Sequence, residues 1–210
     1  MYKIGVIGSG HRMTPIVEKI AKNEGFKIQA VCDPNVEAMK EKYAEYEDVH
    51  FYTDASQMLK NEKLDCLTIG TRCSLHTDFM LLTAKYGLPT FLEKPVCINE
   101  QQLTALEELN ASTDISDKVV VSFPLRNTPI VNCVRDIIKS GKLGQVAHVQ
   151  AYNNVPYARC YYHGWYRDEN ETGGLWLQKA THDFDYINSL LEGIHPVRIL
   201  LLPQDQWPEA

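Results

Sequence analysis

No apolar run in this sequence of 210 residues is long enough to cross a membrane. Positive charge is in deficit: 21 lysines and arginines stand against 27 aspartates and glutamates, for a formal net charge of −6. No basic stripe offsets that balance, so nucleic acid is not an expected partner. The six cysteines, at positions 32, 66, 73, 97, 133 and 160, form no C-x-x-C pair and several lie in apolar runs, which predicts reduced, structural thiols. The seven histidines are scattered. His182-Asp183 with Asp185 has the look of a metal-dependent phosphohydrolase pair, but that chemistry needs further ligands at helical spacing, and no metal is expected. Repeats and low-complexity segments are absent too. The first strand-like run begins at residue 2, which leaves no room for a signal peptide, so the expected location is the cytoplasm.

What is present starts at the amino end. Ile4, Val6 and Ile7 form a β-branched apolar run ending in Gly8-x-Gly10, which reads as a buried strand breaking into a tight turn. Such a turn brings backbone N–H groups to a phosphate, because glycine has no Cβ, and the following helix points its positive end at the same group. The motif lacks its third glycine. Position 13 is Met13, which predicts a helix standing further from the strand. Thr14-Pro15 reads as a cap and a first-turn proline, with Met13, Ile16, Val17 and Ile20 on the buried face. A second strand over 27–32 ends at Asp33. In dinucleotide folds an acidic residue about 20 positions on accepts hydrogen bonds from the adenosine ribose hydroxyls. Its charge repels a 2′-phosphate, so NAD is expected over NADP. The alternative role for Asp33 is to cap the next helix.

Strand and helix patterns alternate as far as Phe123. Helices are predicted over 35–46, 74–86 and 99–109, and strands over 50–52, 64–69, 89–92 and 118–123. Asp54 is assigned to a helix cap. The alternation implies an α/β fold: a doubly wound parallel sheet with helices on both faces. Ligands then sit at the carboxyl ends of the strands, where Gly8, Asp33, Thr71 and Lys94 fall. Residues 1–123 are therefore read as a dinucleotide-binding domain, and 124–210 as a partial second domain with an open sheet. The second part shows a helix over 126–140, a long alternating strand over 145–154, an aromatic stretch over 157–166, a helix over 174–191 and an apolar strand over 197–202. Unpaired sheet edges there predict a homo-oligomer.

The motifs are Gly8-x-Gly10, Asp33-Pro34, Gly70-Thr71 with His76, Glu93-Lys94-Pro95, Arg126, Gly141-Lys142-Leu143-Gly144, and Gly173-Gly174 followed by His182 and Asp185. In this combination the chain resembles the glucose-fructose oxidoreductase, inositol dehydrogenase and rhizopine-catabolism (Gfo/Idh/MocA) family over nearly its whole length. Glu93-Lys94-Pro95 and His182-x-x-Asp185 are the most specific part. The resemblance implies an N-terminal Rossmann domain that binds a nicotinamide cofactor through Gly8, Gly10, Asp33, Thr71 and Glu93. It also implies a C-terminal α/β domain whose sheet forms the substrate wall and often the oligomer interface. Three departures stand out. Thr71-Arg72-Cys73 replaces the frequent Thr-Pro-Asn, Gln178 stands where polyol dehydrogenases of the family often carry aspartate, and family members continue with further strands past position 210.

Oxidising a carbinol removes a hydride from carbon and a proton from oxygen, and the protein must handle the proton. Lys94, placed at a strand end, can hydrogen-bond the substrate oxygen, and His182 is the candidate to exchange its proton, because free imidazole ordinarily titrates near neutral pH. At helical spacing Asp185 either orients that ring or anchors the helix. Gln178 and Lys179, with Tyr157 and Arg167 from the aromatic stretch, are candidate substrate contacts. His76 is expected to cap or pack. The expected activity is hydride transfer between NAD and a sugar, cyclitol or other polyhydroxy substrate. The alternatives are a non-catalytic dinucleotide-binding sensor and a redox-assisted glycosidase.

Overall fold

A computed structural model describes residues 1–153, 159–191 and 193 of the chain. It divides into two units. One comprises Met1–Phe123 with the described residues of 153–181, and the other Pro124–Tyr152 with the described residues from His182 onward.

The first unit is built on six parallel strands: β1 (Tyr2–Ile7), β2 (Phe26–Cys32), β3 (His50–Tyr52), β4 (Cys66–Ile69), β5 (Thr90–Leu92) and β6 (Val119–Val121). Their order across the sheet is β3-β2-β1-β4-β5-β6, the doubly wound arrangement that the alternation predicts. The order reverses between β2-β1 and β4, which opens a crevice at the carboxyl end of β1. Helices α1 (Met13–Ala21), α2 (Val36–Lys42), α3 (Ala55–Asn61), α4 (His76–Thr83) and α5 (Glu100–Thr113) cover the faces. Successive strand residues feed opposite sides. Ile4, Val6, Ile28 and Val31 pack with Met13, Val17, Met39 and Tyr43 of α1, α2 and the end of α2. Ile7, Ala30, Cys32, Leu67, Ile69 and Leu92 pack with Met58 of α3 and Met80 of α4. Being buried on both faces is what makes these strands read as continuous apolar runs.

Local signals mostly act as expected. Asp54 caps α3, accepting from Ser56 N and Gln57 N at 2.6 and 3.2 Å. Thr14 does not cap α1. The helix starts at Met13 with Arg12 before it, and the Thr14 hydroxyl faces the carbonyls of Ser9 and Gly10 at 3.0 and 2.9 Å, bracing the turn instead. The expected displacement of α1 by Met13 is also corrected. A Cβ on Gly70 would lie 2.5 Å from Met13 Cβ, so the missing side chain at Gly70 makes the room that a third glycine in the turn would have made.

The second unit carries α6 (Pro129–Lys139) and nearly all of α8 (Thr181–Leu190). Asp185 anchors α8, its carboxylate receiving Arg126 Nε at 2.8 Å and Arg126 Nη2 on the other oxygen. Arg135 Nη2 donates to the Arg126 carbonyl at 2.9 Å and so tethers the same turn to α6. The strand expected over 145–154 is absent across 145–153. Alternation supplies only half of what a strand needs; the other half is a hydrogen-bonding neighbour, and among the described residues of this unit there is none. The strand expected over 197–202 lies outside the described residues. The helix expected over 174–191 is interrupted: Trp176–Ala180 is a π turn, α8 follows it, and a short helix α7 (Glu169–Thr172) precedes it.

Candidate functional site

The site grows from the turn after β1. Gly8 has φ +75°, and a Cβ there would meet Thr71 Cγ2 at 2.6 Å and Thr71 N at 2.8 Å, so both backbone and packing demand glycine. Ser9 is fully buried and held from several sides. Its N–H reaches Asp33 Oδ2 at 3.3 Å, its carbonyl accepts from Lys42 Nζ at 2.6 Å, and its hydroxyl meets the hydroxyls of Thr14 and Tyr43. Gly10 differs: a Cβ there would have only Gly70 O within range, at 4.0 Å. The protein itself has no need of glycine at position 10, which leaves open space beside the N-terminal end of α1.

Asp33 follows β2 and spans two turns, accepting from Ser9 N through one oxygen and from Asn35 N through the other at 3.0 Å. The capping alternative for Asp33 falls to its neighbour: Asn35 caps α2, accepting from Ala38 N at 3.2 Å.

Across the crevice, the turns after β4 and β5 are joined by His76, which opens α4 and is 1% exposed. Its Nδ1 lies 2.7 Å from Pro95 O and its Nε2 3.2 Å from Thr71 O. Burial lowers its pKa below the ordinary 6.5, against the pull of these two carbonyls. It therefore packs and positions, tying Thr71 to the Lys94-Pro95 segment. Lys94 is half-buried, and its Nζ donates to Gln178 O at 2.5 Å. Burial pulls the ammonium pKa down first; Cys73 and Glu93 oppose that, while Arg12 and Lys179 reinforce it. Glu93 and Gln178 are buried, and each has an orphan polar atom among the described residues, Glu93 Oε1 and Gln178 Nε2. Buried polar atoms are nearly always paired, so two orphans beside one lysine are a strong pointer to a ligand.

One contact was not foreseen from sequence. Glu171 of α7 receives Arg72 Nη1 at 2.9 Å and Ser74 Oγ at 2.6 Å, and Arg72 also lies over the Trp165 ring, 5.8 Å from its centroid. Gln102 completes the arrangement by donating to Ser74 O at 2.8 Å. The departure at Thr71-Arg72-Cys73 thus has a use: it clamps α7 and the aromatic stretch beside the end of β4. Trp165 and Tyr166 rings pack 4.0 Å apart, and Tyr166 meets Tyr161 edge-on.

The remaining candidates divide. His182 is buried in α8, in the second unit. Lys179 sits with Gln178 in the π turn. Arg167 is exposed at the end of a short 3-10 turn, and Tyr157 lies outside the described residues. Cys32 and Cys73 are buried thiols; burial, then Asp54 and Asp33, pushes Cys32 up to about 11, as an inert structural role requires. Among the described residues no helix is long and apolar enough to cross a membrane.

Comparison with known proteins bears on this geometry. The sequence model of an oxidoreductase family with an NAD-binding Rossmann fold matches residues 2–121, and that of the GFO/IDH/MocA C-terminal domain matches residues 131–202. Inositol 2-dehydrogenase of Rhizobium meliloti is 25% identical over 197 residues, 94% of this chain and 57% of that protein. The rhizopine catabolism protein MocA of Rhizobium meliloti is 25% identical over 195 residues, covering 90% of this chain and 57% of its own. The chain thus spans about half the length of the curated relatives it matches. Among solved structures, apo scyllo-inositol dehydrogenase from Lactobacillus casei shares the fold with a TM-score of 0.77 at 21% identity, over 90% of this chain and 55% of that one.

Proposed function

The chain belongs to the Gfo/Idh/MocA oxidoreductase family, and from that premise we propose that it is an NAD-dependent oxidoreductase acting on the CH–OH groups of a sugar, cyclitol or other polyhydroxy compound. The observation that carries the reading is Lys94, held by Gln178 O at the carboxyl end of β5 beside the orphan oxygen of Glu93. The residues fit a dinucleotide. Gly8 and the open space at Gly10 suit a pyrophosphate, the Asp33 carboxylate suits the adenosine ribose hydroxyls, and Glu93 Oε1, an acceptor with no donor among the described residues, suits a hydroxyl of the second ribose together with Thr71. Asp33 also favours NAD over NADP, since its charge opposes a 2′-phosphate.

Bound NAD supplies the hydride acceptor. The chain's own residues handle orientation and the proton. The Lys94 ammonium donates to the substrate oxygen and stabilises its developing negative charge, and burial lowers its pKa from 10.5. His182 is the second proton carrier of the reading. Glu93 fixes the cofactor side and Gln178 the substrate side. A cytoplasmic location, no nucleic-acid or membrane partner and self-association complete the proposal. The exposed row Ile130, Val134 and Ile137 on α6 supports self-association.

The test is a fluorescence titration with NADH followed by a screen of polyols for absorbance at the nicotinamide band. Saturable NADH binding with turnover of a polyol is expected; absence of binding at millimolar cofactor overturns the reading. Gln178, an amide that carries no titratable proton, favours the sensor alternative, and binding without turnover of any polyol would select it.

A further inference from the structure

We infer that Glu171 and Gln102, neither of them at a strand end, are positioning residues for Lys94: together they seat the segment whose Gln178 carbonyl aims the ammonium. That Lys94 reacts rests on the oxidoreductase reading above. Lys94 Nζ donates to Gln178 O at 2.5 Å, so whatever places that carbonyl places the lysine. Between α7 and Gln178 the chain passes through Gly173 and Gly174, both left-handed, with φ +71° and +84°. Two such glycines make a natural hinge. Here the hinge is pinned. Gly173 N donates to Glu169 O at 2.8 Å and Gly174 N to the Thr172 hydroxyl at 3.2 Å, while a Cβ on Gly173 would lie 2.9 Å from Ile98 O.

A closed circuit of hydrogen bonds and packing fixes the stretch to the turn after β4. Just ahead of the glycines, Glu171 Oε2 receives Ser74 Oγ at 2.6 Å. Gly173 rests on Ile98, whose N–H donates to Gln102 Oε1 at 2.9 Å. Gln102 Nε2 then donates to Ser74 O at 2.8 Å, which brings the circuit back to the residue where it began. Oxygen and nitrogen of the Gln102 amide are both spent inside it. Arg72 adds a second donor to Glu171 at 2.9 Å, but its side chain is 53% exposed, so water and salt weaken that pair relative to the Ser74 bond. The circuit bears on Lys94 through the Gln178 carbonyl, and misplacing a reacting group by about 1 Å costs about 100-fold in rate.

The experiment reads Lys94 itself, through its rate of acetylation by limiting acetic anhydride in the folded full chain, measured by peptide mass spectrometry against exposed Lys60. Glu171→Ala and Gln102→Ala are each expected to speed the labelling of Lys94 by about tenfold, the equivalent of one charge-assisted hydrogen bond. Polyol turnover should fall by about 10- to 100-fold. NADH binding should hold, because Thr71 keeps its own tie to His76. Glu171→Gln, which still accepts from Ser74, should stay near the unmodified chain in both readouts, and the double alanine variant should do no more than either single one, since each opens the same circuit. Circular dichroism checks that the variants fold. Unchanged labelling in the two alanine variants overturns the inference, as do additive effects in the double variant or a Glu171→Gln chain that behaves like Glu171→Ala. Faster labelling with full turnover upholds the positioning and overturns the role of Lys94 in the reaction. Failure of the unmodified chain to bind NADH overturns the oxidoreductase reading, and the labelling rates still decide whether Glu171 and Gln102 place Lys94.

Discussion

Lys94 Nζ donates to the carbonyl of Gln178, a residue 84 positions further along the chain, at 2.5 Å. That bond aims a half-buried cation without neutralising it, because a carbonyl is a dipole and not a counter-charge. Replacing Lys94 by Ala should cut turnover by about 100- to 1000-fold, the size of effect seen when a preorganised donor to a developing charge is lost. NADH binding should change far less, which separates the substrate role from the cofactor role. Because burial lowers the Lys94 pKa from 10.5, activity that needs its ammonium should decline at a pH below that of free lysine, as a pH–rate profile will show. The stability consequence has the opposite sense: between the lowered folded value and 10.5 the unfolded chain binds more protons, so this group's contribution to stability grows as pH rises through that window.

Gly8 and Gly10 should respond differently to the same substitution. Gly8→Ala forces a side chain into the left-handed region and against Thr71, and should cost about 2 kcal/mol or more in chemical denaturation. Gly10→Ala has space and should leave the melting temperature nearly unchanged while weakening NADH binding.

Met13 and Gly70 should behave as one unit. Gly70→Ala overpacks the α1–β4 contact and is expected to lose about 1–3 kcal/mol. Met13→Gly by itself should cost about 2–5 kcal/mol, because it empties a fully buried core position, but in its presence Gly70→Ala should lose most of its penalty, since the atoms it would overlap are gone. A double-mutant cycle measures the coupling.

Glu62 offers a test unrelated to the crevice. Its carboxylate is 6% exposed and receives Tyr52 OH at 2.5 Å, His50 Nδ1 at 2.6 Å and Gln29 Nε2 at 3.0 Å, joining α3 to β2 and β3. Burial alone would raise its pKa, but the bonds from Tyr52, His50 and Gln29 outweigh that and lower it below 4.5. Its contribution is therefore present above 4.5 and lost as pH falls through the lowered folded value. Glu62→Gln should cost about 1–2 kcal/mol at neutral pH, and the gap between the two proteins should close in acid.

The six strands and five helices of the sheet can be read in the sequence because each carries its own signal: an apolar run, a helical spacing, a cap such as Asp54. The positions of Gly8, Asp33, Thr71 and Lys94 just past strand ends are legible for the same reason, since each follows an apolar run. What escaped were relations between distant residues. Nothing near Met13 announces that Gly70 makes room for it, and nothing near Arg72 announces Glu171. The alternation over 145–154 promised a strand, yet alternation says nothing about whether a neighbour exists to pair with it. Thr14 was misplaced because a hydroxyl beside a proline suits a cap equally well from one residue's distance.

The π turn at Trp176–Ala180 holds one residue more than an α turn would. Deleting a single residue there would give a plain helix, and would swing the side chains on one side of the cut by about 100° relative to those on the other. Gln178 and Lys179 lie inside that stretch, so gain or loss of one residue there re-aims both relative to Lys94 while leaving the six-stranded sheet untouched.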